Sequence, residues 1–63
     1  MTDKIANLYR AAFYLARGAK EVGLDFLRKS GRKFEDLRLD TKKQRLFWAE
    51  KILDEYISLK HAL

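Results

Sequence analysis

Basic side chains concentrated in one stretch are the clearest chemical feature of this sequence. Residues 28–45, which we name the basic segment, hold eight basic and three acidic side chains, and therefore the whole net charge of +5. Clusters of Lys and Arg bind phosphate groups with an affinity that falls as the salt concentration rises. The basic residues are Arg28, Lys29, Arg32, Lys33, Arg38, Lys42, Lys43 and Arg45.

Three interpretations of the basic segment remain open at this point. It could contact a nucleic-acid backbone, it could bind an acidic protein surface, or it could be a solubilising loop. Phe47 follows the segment and is either an exposed contact residue or is covered by Phe34 and Leu37. The residues we expect to contact a partner or phosphate are Arg28, Lys29, Arg32, Lys33, Lys42, Lys43 and Phe47.

A second candidate surface combines an aromatic ring with arginines. Tyr14 lies between Arg10 and Arg17 at helical spacing, and such an arrangement can stack nucleic-acid bases. Ordinary surface packing, with an ion pair between Arg17 and Glu21, is the simpler interpretation.

Residues for catalysis or metal binding form no recognisable pattern. The single histidine, His61, falls in the last turn of a predicted helix, and Asp54 and Glu55 are adjacent, so they point in different directions on a helix. Cysteine is absent, which excludes thiol chemistry and disulfides. We therefore predict a non-enzyme with no catalytic residues, no metal, no cofactor and no small-molecule substrate.

Helical periodicity accounts for both halves of the chain. In the first half, apolar residues repeat with alternating spacings of three and four, which predicts one long helix over about residues 3–29. Thr2 or Asp3 could cap its start, and Gly31 could end it in the left-handed conformation. The repeating residues are Ile5, Leu8, Ala12, Leu15, Ala19, Val22 and Phe26.

The second half predicts a helix over about residues 41–61. Thr41 and Gln44 match a capping box at its start. In the linker, residues 30–39, Phe34 and Leu37 have helical spacing, so we expect a short helical turn there. One face of the second helix is apolar and consists of Ala49, Ile52, Leu53, Tyr56, Leu59 and Leu63.

Small residues along the first helix predict close approach of another helix. Ala12, Ala16, Ala19 and Gly23 form this strip, whereas Gly18 is either part of it or a solvent-facing residue without a role. A hairpin of two helices leaves its flanking aromatic residues exposed, so we expect two copies to form a four-helix bundle. The predicted oligomer interface comprises Ala12, Ala16, Ala19, Gly23, Phe13 and Trp48. A monomeric three-helix fold that uses residues 31–39 is the alternative.

Length and composition limit the remaining possibilities. A chain of 63 residues forms a single helical domain, 1–63, and its 48% hydrophobic content is typical of a globular protein. The longest apolar run, at residues 46–49, is far too short for a membrane span, and no leader pattern opens the chain. We expect a complete, cytoplasmic protein.

The function predicted from these features is that of a small regulatory or interaction protein. We expect it to self-associate and to bind a macromolecular partner, most simply another protein, through its basic hinge. The alternative is a nucleic-acid-binding regulator that contacts phosphates through the basic segment.

Overall fold

Three helices make up the chain in the computed structural model, which describes residues 3–62. They are α1 (Lys4–Ala16), α2 (Lys20–Ser30) and α3 (Lys42–Ala62), and no strand occurs between residues 3 and 62. The all-α prediction is confirmed. None of these helices is long and apolar enough to cross a membrane.

The prediction of one continuous helix over residues 3–29 is wrong, because the chain turns at Gly18. The Gly18 N–H donates to the Leu15 carbonyl (3.1 Å) and the Ala19 N–H donates to the Tyr14 carbonyl (2.9 Å). With Gly18 at φ +87°, these two bonds form the Schellman motif that ends α1. The glycine therefore marks a helix end, since glycine adopts a positive φ without the steric cost of a Cβ atom.

The turn also changes which residues of α2 face the core. The alternating spacing predicts that Val22 and Phe26 face inward, but Val22 is 45% exposed and Phe26 is only half-buried. The buried residues of α2 are instead Gly23, Leu27 and Ser30. A helix that starts anew after a turn has its own rotational phase, so a spacing that runs through the turn does not predict its buried face.

α1 lies at the centre of the fold and runs antiparallel to both other helices. Gly31 at the end of α2 lies near Lys4 at the start of α1, and Leu59 near the end of α3 lines a cavity with the same lysine. At the opposite end of α1, Ala16 lines a groove with Leu46 near the start of α3. Both α2 and α3 pack extensively on α1, whereas they hardly contact each other. The molecule measures 33 × 20 × 20 Å.

Residues 31–41, which we name the return loop, connect the parallel helices α2 and α3. The loop runs back along α2, so that Asp40 forms an ion pair with Lys20 (3.6 Å) at the helix start. The predicted helical turn at Phe34 and Leu37 is wrong, since this stretch is not helical. Leu39 is 4% exposed and Leu37 packs on the same core, but residues two apart on a helix point in nearly opposite directions. A non-helical path brings both inward.

The predicted helix termini are largely confirmed. Asp3 caps α1 by accepting a hydrogen bond from the Ala6 N–H (3.0 Å), and Gly31 ends α2 at φ +77°. Thr41 and Gln44 form the capping box of α3: the Thr41 hydroxyl accepts from the Gln44 N–H and the Gln44 side chain accepts from the Thr41 N–H, both at 3.1 Å. The alternative cap Thr2 lies outside the described residues.

The core is formed by the inner faces of α1 and α3, together with Leu27 and Leu39. The predicted apolar face of the second helix is confirmed within α3: Ala49 and Ile52 are buried, and the rest of it packs against them. Leu63, at the end of that face, lies outside the described residues. The buried apolar residues are Leu8, Ala11, Ala12, Leu15, Leu27, Leu39, Ala49 and Ile52.

Candidate functional site

The two cations at the end of α2 are held by one carboxylate. Asp25 accepts from Arg28 Nη2 (3.2 Å) and pairs with Lys29 Nζ (3.0 Å), each within a single turn of the helix. The Lys29 ammonium, and to a smaller extent the Arg28 guanidinium, lower the pKa of Asp25 below its usual range. All three side chains are substantially exposed, so these pairs leave the cations open to a ligand.

Among the other cations of the basic segment, Arg32 is the one that pairs with an acidic side chain within residues 3–62. Arg32 reaches Glu55 of α3 (3.6 Å) and so links the start of the return loop to the third helix. Arg45 donates to the Leu39 carbonyl (3.3 Å). Within residues 3–62, the basic residues of this segment that form no ion pair with an acidic side chain are Lys33, Arg38, Lys42, Lys43 and Arg45.

A groove between α2 and the return loop brings three of the predicted contact residues together. Arg28, Arg32 and Lys33 line this opening, which we name the α2–loop groove and which has a volume of about 740 Å³. Its other lining residues are mainly apolar: Glu21, Leu24, Leu27, Gly31, Phe34 and Leu37. The groove therefore combines a cationic rim with an apolar floor, and the apolar half was not predicted.

Lys29, Lys42 and Lys43 do not line this groove. Both Lys42 and Lys43 are exposed in the first turn of α3. The basic segment is therefore divided between a groove and a separate helix start, because the return loop covers the length of α2 between them.

Phe47 remains exposed, as one of the two interpretations predicts. It is 51% exposed, meets the Trp48 ring edge-on at 5.4 Å, and carries Lys51 Nζ 5.4 Å from its centroid. Phe34 packs against Trp48 (6.1 Å). The exposed ring of Phe47 is therefore available to a partner beside the first turn of α3.

A second groove, between α1 and α3, is almost entirely apolar. We name it the α1–α3 groove; its volume is about 360 Å³ and Glu50 is its one charged lining residue. Ala12, Phe13 and Ala16 of the predicted oligomer interface line it. Tyr9, one of the flanking aromatic residues that a second copy was expected to cover, also lines it. The prediction omitted the other apolar lining residues, which are Leu46, Ala49 and Leu53. Their helical spacing can be read from the sequence, but which helix face stays exposed to solvent depends on how the helices pack.

The remaining predicted interface residues lie elsewhere. Gly23 is buried against α1 within one chain: a Cβ atom there would lie 2.7 Å from Cγ and Cδ2 of Leu15. Ala12 is also 5% exposed, so it contributes little accessible surface to its groove. Ala19 and Trp48 are half-buried. Close helix approach at Gly23 is confirmed, but the helix that approaches is α1 of the same chain.

The arginine-flanked Tyr14 is engaged in internal packing. Its ring stacks on Phe26 at 5.5 Å with an interplanar angle of 9°, which joins α1 to α2. Arg17 lies over the Phe13 ring, 4.2 Å from its centroid, and makes no ion pair with Glu21 since the turn at Gly18 separates the two. The face is therefore ordinary helix packing.

Comparison with known proteins identifies no relative of this chain. No protein-family model matches the chain, and no match was found among curated proteins or solved structures. Across residues 3–62, no three His, Asp or Glu side chains come close enough to hold a metal ion.

Proposed function

We propose that this protein is a non-enzymatic interaction module that self-associates through α1 and α3, so that these two helices of each copy meet in a four-helix interface, and that it binds a macromolecular partner through its basic segment. The observation that carries the proposal is the presence of two grooves of different chemistry with no lining residue in common. An apolar groove suits a permanent contact between copies, and a groove rimmed by cations suits a charged partner.

Exposed apolar surface supports self-association. Three of the most exposed large apolar side chains, Tyr9, Phe13 and Leu46, lie in the α1–α3 groove. Ile57 extends the same stripe of α3 beyond Leu53 and is 43% exposed. Contact with a second copy would remove this surface from water.

The assembly can be tested with one pair of matched substitutions. Leu46→Arg places a charge in the α1–α3 groove, whereas Val22→Arg places one on an equally exposed apolar residue of α2 outside it (42% and 45% exposed). We expect sedimentation equilibrium at micromolar concentration to give twice the chain mass for the wild type and for Val22→Arg, but the single chain mass for Leu46→Arg.

Two results would contradict self-association through this face. A wild-type mass near 7.5 kDa at these concentrations would exclude the dimer. Equal dissociation by both substitutions would show that the interface lies outside the α1–α3 groove. Circular dichroism on each variant reports whether the helices are retained.

Nucleic-acid binding is the second candidate function. The observation in its favour is that Lys42 and Lys43 are exposed in the first turn of α3 and make no ion pair within residues 3–62. Helix starts carry a positive partial charge that attracts phosphate. Binding of a 20-base-pair DNA duplex at about 50 mM salt, lost at about 200 mM and weakened by Lys42→Gln/Lys43→Gln, would support it. Absence of binding at the lower salt would exclude it.

A further inference from the structure

We infer that the α2–loop groove is the docking site for an amphipathic, acidic helical segment of a partner protein. The inference rests on the proposed function, because it specifies which class of partner the basic segment would bind. It assigns the role to one part of that segment, the rim formed by Arg28, Arg32 and Lys33.

The groove exists because a non-helical loop, and not a fourth helix, fills the space beside α2. A loop covers less apolar surface than a helix does, so Leu24 and Leu37 are only half-buried. Gly31 adds no side chain at the end where the loop leaves α2. An opening of about 740 Å³ with a leucine floor is the result.

The dimensions fit a short helix. The lining extends from Glu21 in α2 to Gly31, the first residue after this helix, which corresponds to about 15 Å along the helix axis. A peptide helix of three turns has the same length, and such helices bind by laying an apolar face into a groove. The groove is open along its surface, so a segment can enter from the side.

Charge selects the kind of helix. Three cations line the groove against the single carboxylate of Glu21. The cations lie towards the Gly31 end. Arg28 and Arg32 also pair with carboxylates outside the groove, whereas Lys33 has no acidic partner among residues 3–62. A partner helix with acidic residues flanking its apolar face would cover the leucine floor and pair with the cations of the rim.

A nucleic acid fits this groove less well than a peptide does. Its sugar–phosphate backbone is polar and would leave the floor at Leu24, Leu27 and Leu37 uncovered. Bases need an exposed aromatic platform, but the one aromatic lining residue, Phe34, is half-buried and packs edge-on against Trp48. The observations therefore favour a peptide.

The test is a selection on the full chain from a phage-displayed library of random 15-residue peptides. We expect enrichment of peptides in which leucine or phenylalanine recurs every three or four residues between aspartates and glutamates. The most enriched peptide is then synthesised with a fluorophore, and its dissociation constant is measured by anisotropy at about 150 mM salt, beside a 20-base-pair DNA duplex.

Two double variants locate the binding site. Arg28→Gln/Lys33→Gln removes two charges from the rim, and Lys42→Gln/Lys43→Gln removes two from the start of α3 outside the groove. We expect the first to raise the dissociation constant for the peptide roughly fivefold or more and the second less than twofold. Leu37→Ala, which removes apolar surface from the groove floor, should also weaken peptide binding. Circular dichroism reports whether this variant keeps its helices.

Different failures have different meanings. Equal weakening by the two double variants, or selected peptides without the acidic and apolar pattern, would overturn the groove assignment and leave the proposed function intact. If no peptide is enriched and the chain binds DNA through Lys42 and Lys43, the groove assignment is overturned in favour of a phosphate-bearing partner. A chain that neither self-associates nor binds any of these probes would refute the proposed function as well.

Discussion

At the scale of single residues, two glycines within the stretch predicted as one helix have different roles in the structure. Gly18 adopts φ +87° with open space where a Cβ atom would be, so its backbone conformation matters and its size does not. Gly23 lies within α2, and a Cβ atom there would meet Leu15. One glycine ends a helix, and the other allows two helices to approach closely.

Substitution of Gly18 should test the backbone requirement alone. We expect Gly18→Ala to reduce the free energy of unfolding by about 1 kcal/mol, since alanine disfavours the left-handed conformation. Gly18→Asn should cost less, because asparagine tolerates positive φ. Urea denaturation gives both values, and an equal loss in the two variants would contradict the role assigned to the conformation.

Substitution of Gly23 should test packing. A Cβ atom 2.7 Å from Leu15 Cγ forces a shift in a fully buried side chain, at a cost of roughly 1–3 kcal/mol, partly offset by the better helix propensity of alanine. We expect Gly23→Ala to lower the free energy of unfolding, and to be neutral or stabilising in the Leu15→Ala background. Stabilisation in the wild-type background would show that the contact relaxes freely.

At the scale of elements, the capping box at the start of α3 fixes the point at which the return loop ends and the helix begins. The Gln44 side chain accepts from the Asp40 N–H as well as the Thr41 N–H, so one residue satisfies two backbone donors. The first turn of α3 presents Lys42 and Lys43, and the exposed Phe47 follows in the next turn. The capping box thus positions the residues on which the second candidate function depends.

Removal of the cap should loosen this helix start. We expect Thr41→Ala to lower the free energy of unfolding by about 1 kcal/mol, since the Gln44 N–H loses its acceptor, and Thr41→Ser to retain most of the stability. Hydrogen exchange at the Gln44 amide should accelerate in the alanine variant. Unchanged exchange there would indicate that the cap does not hold the helix start.

At the scale of the whole molecule, a central α1 with partners on two sides leaves one apolar face uncovered. The parallel arrangement of α2 and α3, joined by the return loop, places the α1–α3 groove and the α2–loop groove between different pairs of elements. The self-association and the partner binding that we propose therefore rest on different residues and can be tested independently.

Self-association should make the stability depend on concentration. We expect Tm to rise by several degrees between about 5 and 500 μM chain, because a partner that binds only the folded state stabilises it by mass action. Differential scanning calorimetry at both concentrations measures this, and Leu46→Arg should abolish the dependence. A wild-type Tm that is independent of concentration would contradict the dimer.

The sequence alone determined the helical class, most of the helix termini and the location of the charge. These properties follow from neighbouring residues: Asp3, Gly31 and the Thr41–Gln44 pair act within one turn of chain, and charge is counted residue by residue. An isolated Gly18 was ambiguous, since the same residue can pack inside a helix or end one.

Only the tertiary structure decided how the faces are used. The turn at Gly18 gives α2 a new rotational phase, so Gly23 packs on α1 of its own chain. The buried Leu39 holds the return loop against the core, and the groove beside α2 then brings together Arg28, Arg32 and Lys33 over its leucine floor. These outcomes depend on residues distant in sequence whose packing competes for the same core. Spacing along the chain does not encode the result of that competition.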